Sequence, residues 1–217
     1  AFISSAFPRF HDIYQQAGVG SSYGYLDDQN GNTFRETLSR AMTNSSAVVQ
    51  IVTWNDFGEG TIVEPTVQYG YRDLEIIQDL RRQYLDPDFP YHTNDLTLAF
   101  RFYQLRKQYG GDSVVSAELE RIFKRIVAGD LVDADARLTG IESNAPVIYD
   151  LSITNDQLQF FVGGYLSASG LQVETSSNLT SWDGLNALPA TTNQLVFDTP
   201  LQVQDAPAFF RVRNLGP

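Results

Sequence analysis

The alternation of apolar and polar positions changes period twice along the chain. Over residues 1–85, strand-like and helix-like runs take turns. "FISSAF" is a short apolar strand that leads into a polar, aromatic loop, "PRFHDIYQQAGVGSSYGYLDDQNGN". In "TFRETLSRAMTNS", Phe34, Leu38, Ala41 and Met42 recur at helical spacing, with Asn32 or Thr33 as the expected cap. "AVVQIVTW" is nearly continuous in apolar residues, as strands covered on both faces are. "YGYRDLEIIQDLRRQYL" then places Leu74, Ile77, Leu80 and Leu85 roughly on one side of a second helix. That order, βαβα, is the grammar of a parallel sheet or barrel.

Residues 86–141 read as a helical extension. "TNDLTLAFRFYQLRKQYGG" starts at Thr93 or Asn94 and stops at a double glycine. "DSVVSAELERIFKRIVAGD" carries the stripe Val115, Leu119, Ile122, Phe123 and Ile126, and the short acidic segment "LVDADARLTG" closes the region. After the break at "ESNAP", residues 145–217 change to short β-like runs separated by Gly, Asn, Asp and Pro. "VIYDLSITNDQLQFFVGGY", "GLQVETSS", "NQLVFDT" and "AFFRVRN" predict a small antiparallel β-sandwich.

Composition narrows the partners. The chain has 217 residues, 42% hydrophobic and 19% charged, which is ordinary globular material for one or two domains. A formal net charge of -11 argues against nucleic acid and anionic membrane surfaces, which attract basic faces. With no cysteine, neither a disulfide nor a thiolate metal site is possible, which suits a secreted or periplasmic protein without requiring it. No run of about 18 apolar residues is present, so no membrane span is expected. A start at Ala1, directly in strand-like sequence, reads as a processed or truncated N-terminus.

Candidate chemistry concentrates in "IVTWNDFGEGTIVEPT", residues 51–66. In parallel α/β sheets and barrels, ligands bind beyond the carboxyl ends of the strands, where Asp56 and Glu59 sit. If the turn begins helically, their Cβ atoms lie about 5 to 6 Å apart. Two carboxylates that close do not both ionise easily, and a protonated acid beside an ionised one is what glycoside cleavage needs. Gly58 and Gly60 allow a tight turn and leave room for a bulky ligand. Trp54 offers an apolar platform for a sugar ring, and Asn55 can hydrogen-bond a hydroxyl. The competing reading of D-x-x-E at a strand end is a capped, solvated acidic turn. Arg9, His11, Asp12 and Tyr14 follow the first strand and can line the same mouth. Tyr23 and Tyr25 can stack on sugar or pack into the core. "DDQNGN" alternates oxygen-bearing side chains but lacks the spacing of a calcium loop, and reads as a turn. No residue is assigned to a metal or cofactor.

"TWNDFGEGTIVEP", residues 53–65, resembles the last-strand motif of glycoside hydrolase families 99 and 71 and of the bacterial 71/99-like proteins. Family 99 carries W-N-E-W-x-E-G-T-x-I-E, family 71 carries T-W-N-D-Y-G-E, and the following "VQYGYRDLE" is similar to the 71/99-like group. The resemblance covers residues 1–85 and implies an α/β fold, the last two βα units of a (β/α)8 barrel. It implies general acid/base catalysis by Glu59, with Asp56 as the second carboxylate, which in family 99 acts on the substrate's 2-hydroxyl. Family 99 has Glu at the Asp56 position and family 71, which inverts, has Asp. The sugar and the stereochemical course therefore stay open. Such a barrel needs six further strands, from a preceding segment of the same protein or from a companion chain. "LQVETSSNLTSW" and "FFRVR" resemble a tail module of secreted bacterial proteins, with Trp182 and Phe210 expected in its core. The chain so read is a glycoside hydrolase acting on a polysaccharide or oligosaccharide. The rival readings are a non-catalytic carbohydrate-binding protein and a surface-attachment protein.

Overall fold

The computed structural model describes residues 2–154, 157–166, 169–188, 195–200 and 209–215. Parts of the expected runs, at Asn155, Asp156, Asn193, Gln194 and Ala208, lie outside the described residues. The chain divides into two compact units, Ala1–Leu96 and Thr97–Pro217.

The first unit runs β1 (Ile3–Ala6), β2 (Phe10–His11), β3 (Tyr25–Leu26), α1 (Asn32–Thr43), β4 (Val48–Ile51) and α2 (Arg72–Tyr84). β1 and β4 pair in parallel, with Ile3 opposite Val48 and Ala6 opposite Ile51. β2 and β3 form a two-residue antiparallel ladder, His11 opposite Tyr25. Helix α1 buries Phe34, Leu38 and Ala41 at the spacing the sequence shows, against Ala6, Val63, Ile76 and Leu80. Val49 and Ile51 pack on that cluster, whereas Ile3 and Val48, on the other face of the pleat, are 64% and 54% exposed. Within the described residues, the helices cover one face of the parallel pair.

Helix α2 turns inward a face that overlaps the expected one in Leu80, which is buried, and Ile77, which packs on the cluster, but is shifted toward Asp73 and Ile76. Ile76 and Leu80 are buried together with Asp73 and Gln78, while Leu85 lies past the helix and is exposed. The cause is Arg9, itself buried, whose guanidinium bonds the Asp73 carboxylate and the Ile62 carbonyl at 2.7 Å. Its plane lies over the Tyr69 ring at 3.7 Å. A buried charge needs a buried partner, and Asp73 is drawn in to supply it.

The second unit opens with three helices, α3 (Leu98–Gln108), α4 (Ser113–Ala128) and α5 (Leu131–Glu142). A 3-10 turn over Thr93–Thr97 precedes α3 where the sequence predicts the helix to start. Asp112 caps α4 by accepting from the Val114 and Val115 N–H groups at 2.9 and 3.0 Å. Leu98, Leu105, Val115, Leu119, Ile122, Ala134, Leu138 and Ile141 form the helical core. Phe123, expected in the stripe of α4, is exposed.

Six strands follow: β5 (Pro146–Thr154), β6 (Gln157–Gly164), β7 (Leu171–Ser176), β8 (Asp183–Leu188), β9 (Leu195–Pro200) and β10 (Phe209–Asn214). They pair antiparallel in two sheets ordered β5-β6-β9 and β10-β7-β8. Leu158, Phe160 and Val162 of β6 share one cluster with Leu171 and Val173 of β7, flanked by Ile148, Phe210 and Val212. Both sheets thus contribute side chains to one apolar interior.

Helices and strands of this unit are joined by a buried polar network, so residues 97–142 do not stand apart from the strands as a separate extension. Glu118 and Arg137 are each 1% exposed and bonded at 2.6 Å. Glu118 Oε1 also accepts the Gly164 N–H of β6 at 3.1 Å, and the Arg137 guanidinium lies 3.4 Å over the Tyr149 ring of β5. Gly163 is required here, because a Cβ at that position would meet Glu118 Oε1 at 2.5 Å. Among the described residues no helix is long and apolar enough to cross a membrane.

Candidate functional site

The stretch that follows β4 folds into a closed loop. The Val52 N–H still bonds the Ala6 carbonyl of β1 at 2.9 Å, and the Val52–Thr53 peptide is cis. Thr53 then pairs with Thr61 twice, backbone N–H to carbonyl and hydroxyl to hydroxyl, both at 2.9 Å. The Val63 and Glu64 N–H groups bond the Trp54 carbonyl at 3.1 and 2.9 Å. Residues 54–60 are therefore a loop whose neck is the Thr53–Thr61 pair, standing at the carboxyl end of β4.

Inside the loop the two acids are tied together. The Asp56 N–H donates to the Thr53 hydroxyl at 3.2 Å, and Asp56 Oδ1 accepts the Glu59 N–H at 3.0 Å. Both acids therefore belong to one hydrogen-bonded turn. The loop is docked on the strand before the aromatic segment: the His11 N–H bonds the Glu59 carbonyl at 2.8 Å, and the Ile13 N–H bonds the Gly58 carbonyl at 3.0 Å. Gly60 makes the docking possible, with φ +68° and a hypothetical Cβ only 3.1 Å from the His11 carbonyl oxygen.

Tyr14 completes the pair. Its hydroxyl donates to Glu59 Oε1 at 2.8 Å. This bond, and the negative charge it faces, push the Tyr14 phenol up from 10.0 to about 12. Each carboxylate so has one oxygen engaged by the protein; Asp56 Oδ2 and Glu59 Oε2 have no protein partner among the described residues.

The other expected contact residues fall into two groups. Trp54 and Asn55 are exposed at the head of the loop, Trp54 by 53%. His11 is exposed and meets Tyr25 edge-to-face at 5.0 Å. Tyr23 and Tyr25, 81% and 65% exposed, lie outside the core, and Tyr23 meets Tyr14 edge-to-face at 5.6 Å. Asp12 differs: it is buried, and it accepts from the Tyr14 N–H, the Ser22 hydroxyl and the Tyr23 N–H at 3.2, 3.1 and 2.7 Å. With its oxygens committed to the loop, Asp12 positions Tyr14 and Tyr23 from behind.

"DDQNGN" is a turn in this structure. Asp27 accepts the Gln29 N–H at 2.6 Å, Asp28 accepts the Asn30 N–H at 3.0 Å, and Asp28 also receives Arg72. Burial works against the Asp28 carboxylate, yet the Arg72 and Asn30 hydrogen bonds hold it below its usual value. Among the described residues no group of three or more acids and histidines converges as metal ligands would. In the second unit, Trp182 is half-buried and outside the apolar cluster, with one ring face taken by the Arg211 guanidinium at 4.2 Å. Phe210 packs on the cluster, as expected.

Sequence reasoning missed the threonine neck and gave Tyr14 no partner. The threonines stand eight positions apart, flanking the loop, a spacing visible in the sequence; the Tyr14–Glu59 bond joins residues 45 positions apart and leaves no such signal. No protein-family model, curated protein or solved structure matches the chain.

Proposed function

We propose that the chain is part of a glycoside hydrolase of the 71/99-like kind, with Asp56 and Glu59 as its catalytic carboxylates. The observation that carries this reading is the tied pair itself. Two acids share one turn at a strand's carboxyl end, each with one oxygen fixed by the protein and one open, beside exposed Trp54 and Asn55. Fixing one oxygen holds the rotamer, and the other is left to exchange a proton with a sugar oxygen. Glu59, steadied by Tyr14, takes the general acid/base role; Asp56 takes that of the second carboxylate. Trp54 stacks on a sugar ring and Asn55 bonds a hydroxyl.

On this reading the free edges of β1 and β4 pair with the remaining strands of a (β/α)8 barrel, in the same protein or a companion chain, and their exposed face turns to its interior. Strands β5–β10 form a small sandwich that packs with the helices before it. The protein acts outside the cytoplasm, on a polysaccharide or oligosaccharide.

The test is release of reducing ends from a panel of α-mannans, α-glucans and other polysaccharides. Native material is weighed under denaturing and non-denaturing conditions to find any companion of roughly 200 to 300 residues. Asp56→Asn and Glu59→Gln are each expected to lower hydrolysis at least about a hundredfold with the fold intact. Hydrolysis unchanged in both variants refutes the assignment.

One observation favours a non-catalytic carbohydrate-binding protein instead. Asp56 Oδ1 accepts the Glu59 N–H as a capping aspartate does, so the acid has a structural task of its own. Sugar binding at Trp54 with no hydrolysis in the native assembly would decide for this second reading.

A further inference from the structure

Two arginines of β10 share one acid of β7. In the antiparallel register Arg211 stands opposite Glu174 and Arg213 opposite Gln172, while Phe210 and Val212, between them, pack on the apolar cluster. Arg211, Arg213 and Glu174 therefore lie on the outer face of the sheet β10-β7-β8. The Arg211 and Arg213 Nε–H groups each donate to a different oxygen of Glu174, both at 2.6 Å. Those bonds hold the Glu174 carboxyl below its ordinary value, so it is ionised at neutral pH. Glu174 is buried, whereas the two arginine side chains are 47% and 55% exposed.

The charges here do not cancel. Two guanidiniums against one carboxylate leave an excess of one positive charge, in a chain whose net charge is -11. Asp28 is likewise shared by Arg9 and Arg72, but there Asp73 supplies the second acid. Among the described residues no second acid pairs with Arg211 or Arg213. Asp183, on the neighbouring β8, stands opposite Thr175, on the other face of the pleat.

Both guanidiniums are oriented in advance. Glu174 fixes the Nε of each, and the Arg211 guanidinium lies over the Trp182 ring at 4.2 Å. Trp182 is itself held by its Nε1–H, which donates to the Leu179 carbonyl at 3.3 Å. Each guanidinium keeps its outer edge, whose N–H groups have no protein partner among the described residues. Such an edge matches the two coplanar oxygens of a carboxylate. Holding it in place beforehand removes part of the ordering cost of binding.

Charge selects among the oxyanions. A phosphate monoester carries about −1.5 to −2 at neutral pH, more than the excess it would meet. A polyanion would also face the long-range repulsion of an acidic chain. A single carboxylate balances the site. We propose that Arg211 and Arg213 form a binding site for the carboxylate of a small monocarboxylic acid, with Glu174 and Trp182 orienting them. The site belongs to the second unit and does not rest on the chemistry assigned to Asp56 and Glu59.

The test is an NMR titration of the full chain at neutral pH and constant ionic strength, followed on the arginine Nε–H signals and the amides of β10. The ligands are acetate and glucuronate, with inorganic phosphate and methyl sulfate as competing oxyanions. Acetate is expected to shift Arg211 and Arg213 saturably, with a Kd in the millimolar range. Glucuronate binding no tighter than acetate assigns the site to small free acids, and tighter binding assigns it to uronic acid sugars. Arg211→Lys and Arg213→Lys keep the charge but lose the planar fork, and each should weaken binding about fivefold or more. Arg35→Lys, at an exposed arginine paired with Asp79 in the first unit, should leave it unchanged. Dispersed spectra confirm that each variant is folded. The proposal is overturned if neither carboxylate gives a saturable shift by about 100 mM, or if phosphate or methyl sulfate binds more tightly than both. Lysine variants that bind as the native chain does would overturn it too.

Discussion

Replacing Glu118 by alanine should be among the most destabilising single changes in the second unit. The carboxylate is buried with Arg137, accepts the Gly164 N–H, and receives Arg121 at 2.9 Å. Burial opposes the Arg137 charge, yet the Glu118 carboxylate beside it raises its pKa above the usual arginine value. Glu118→Ala leaves that guanidinium buried with only Asp133, at 2.8 Å, to balance it. Breaking a buried pair by removing one partner costs about 3 to 5 kcal/mol. With a urea slope of about 2 kcal/mol per molar, a loss of about 4 kcal/mol lowers the midpoint by about 2 M. Glu118→Gln keeps an acceptor for Gly164 and should cost about 2 kcal/mol. The double variant Glu118→Gln/Arg137→Met removes both charges and should recover part of the loss seen when one charge is left alone. The chain has two tryptophans, Trp54 in the first unit and Trp182 in the second. In a Trp54→Phe background, fluorescence against urea therefore reports on the second unit alone. A loss below about 1 kcal/mol for Glu118→Ala, or a double variant that costs the sum of the singles, would refute the reasoning.

Three further outcomes follow from the geometry. Glu59→Gln should bring the Tyr14 phenol down from about 12 toward 10.0, measured by tyrosinate absorbance against pH and assigned by Tyr14→Phe. Gly60→Ala should destabilise the first unit by about 1 to 2 kcal/mol, from positive φ and the nearby His11 carbonyl, and Trp54 fluorescence in urea should show it; a neutral effect would mean the docking of the loop is looser than described. The hydrogen bonds from Arg213 and Arg211 hold the Glu174 carboxyl below its ordinary 4.5. A depressed acid stabilises above its unfolded value and loses that contribution as pH falls through the folded one. The second unit should accordingly weaken below about pH 4.5, and Glu174→Gln should flatten that acid limb in pH-dependent unfolding.

Local periodicity made most helices readable, and long-range polar pairing hid the rest. Phe34, Leu38 and Ala41 needed only their spacing. In α2 the apolar letters pointed to Ile77, which does pack on the core, but they did not show the burial of Ile76 or of Asp73 beside Arg9. Helix α5 was masked by its acids: Ala134, Leu138 and Ile141 are spaced as a helical stripe, while Asp133 and Asp135 made the segment read as an acidic closing stretch. Those acids are bound, Asp133 by Arg137 and Asp135 by Arg101, each across helical turns or between helices. "DGLNAL" carries no β-branched residue and becomes β8 only by pairing with β7. At the site, the adjacency of Asp56 and Glu59 was legible because they stand three positions apart. The commitment of Asp12 to its own loop was not, because its donors at 22 and 23 are reached only once that loop has closed.

The Glu118–Arg137 pair also bears on how this chain is inherited and cut. A tail that could be exchanged between proteins would be expected to begin at the change of composition near residue 145. Severing the chain there would strip Gly164 from Glu118 and Tyr149 from Arg137, exposing two charges that the interior was shaped to hold. A cut that keeps these contacts together falls at Thr97, where the second compact unit begins, and carries three helices with the strands. Recombination, or an engineer's fusion, that respects this seam keeps the buried pair with its partners; one that follows the compositional boundary divides them.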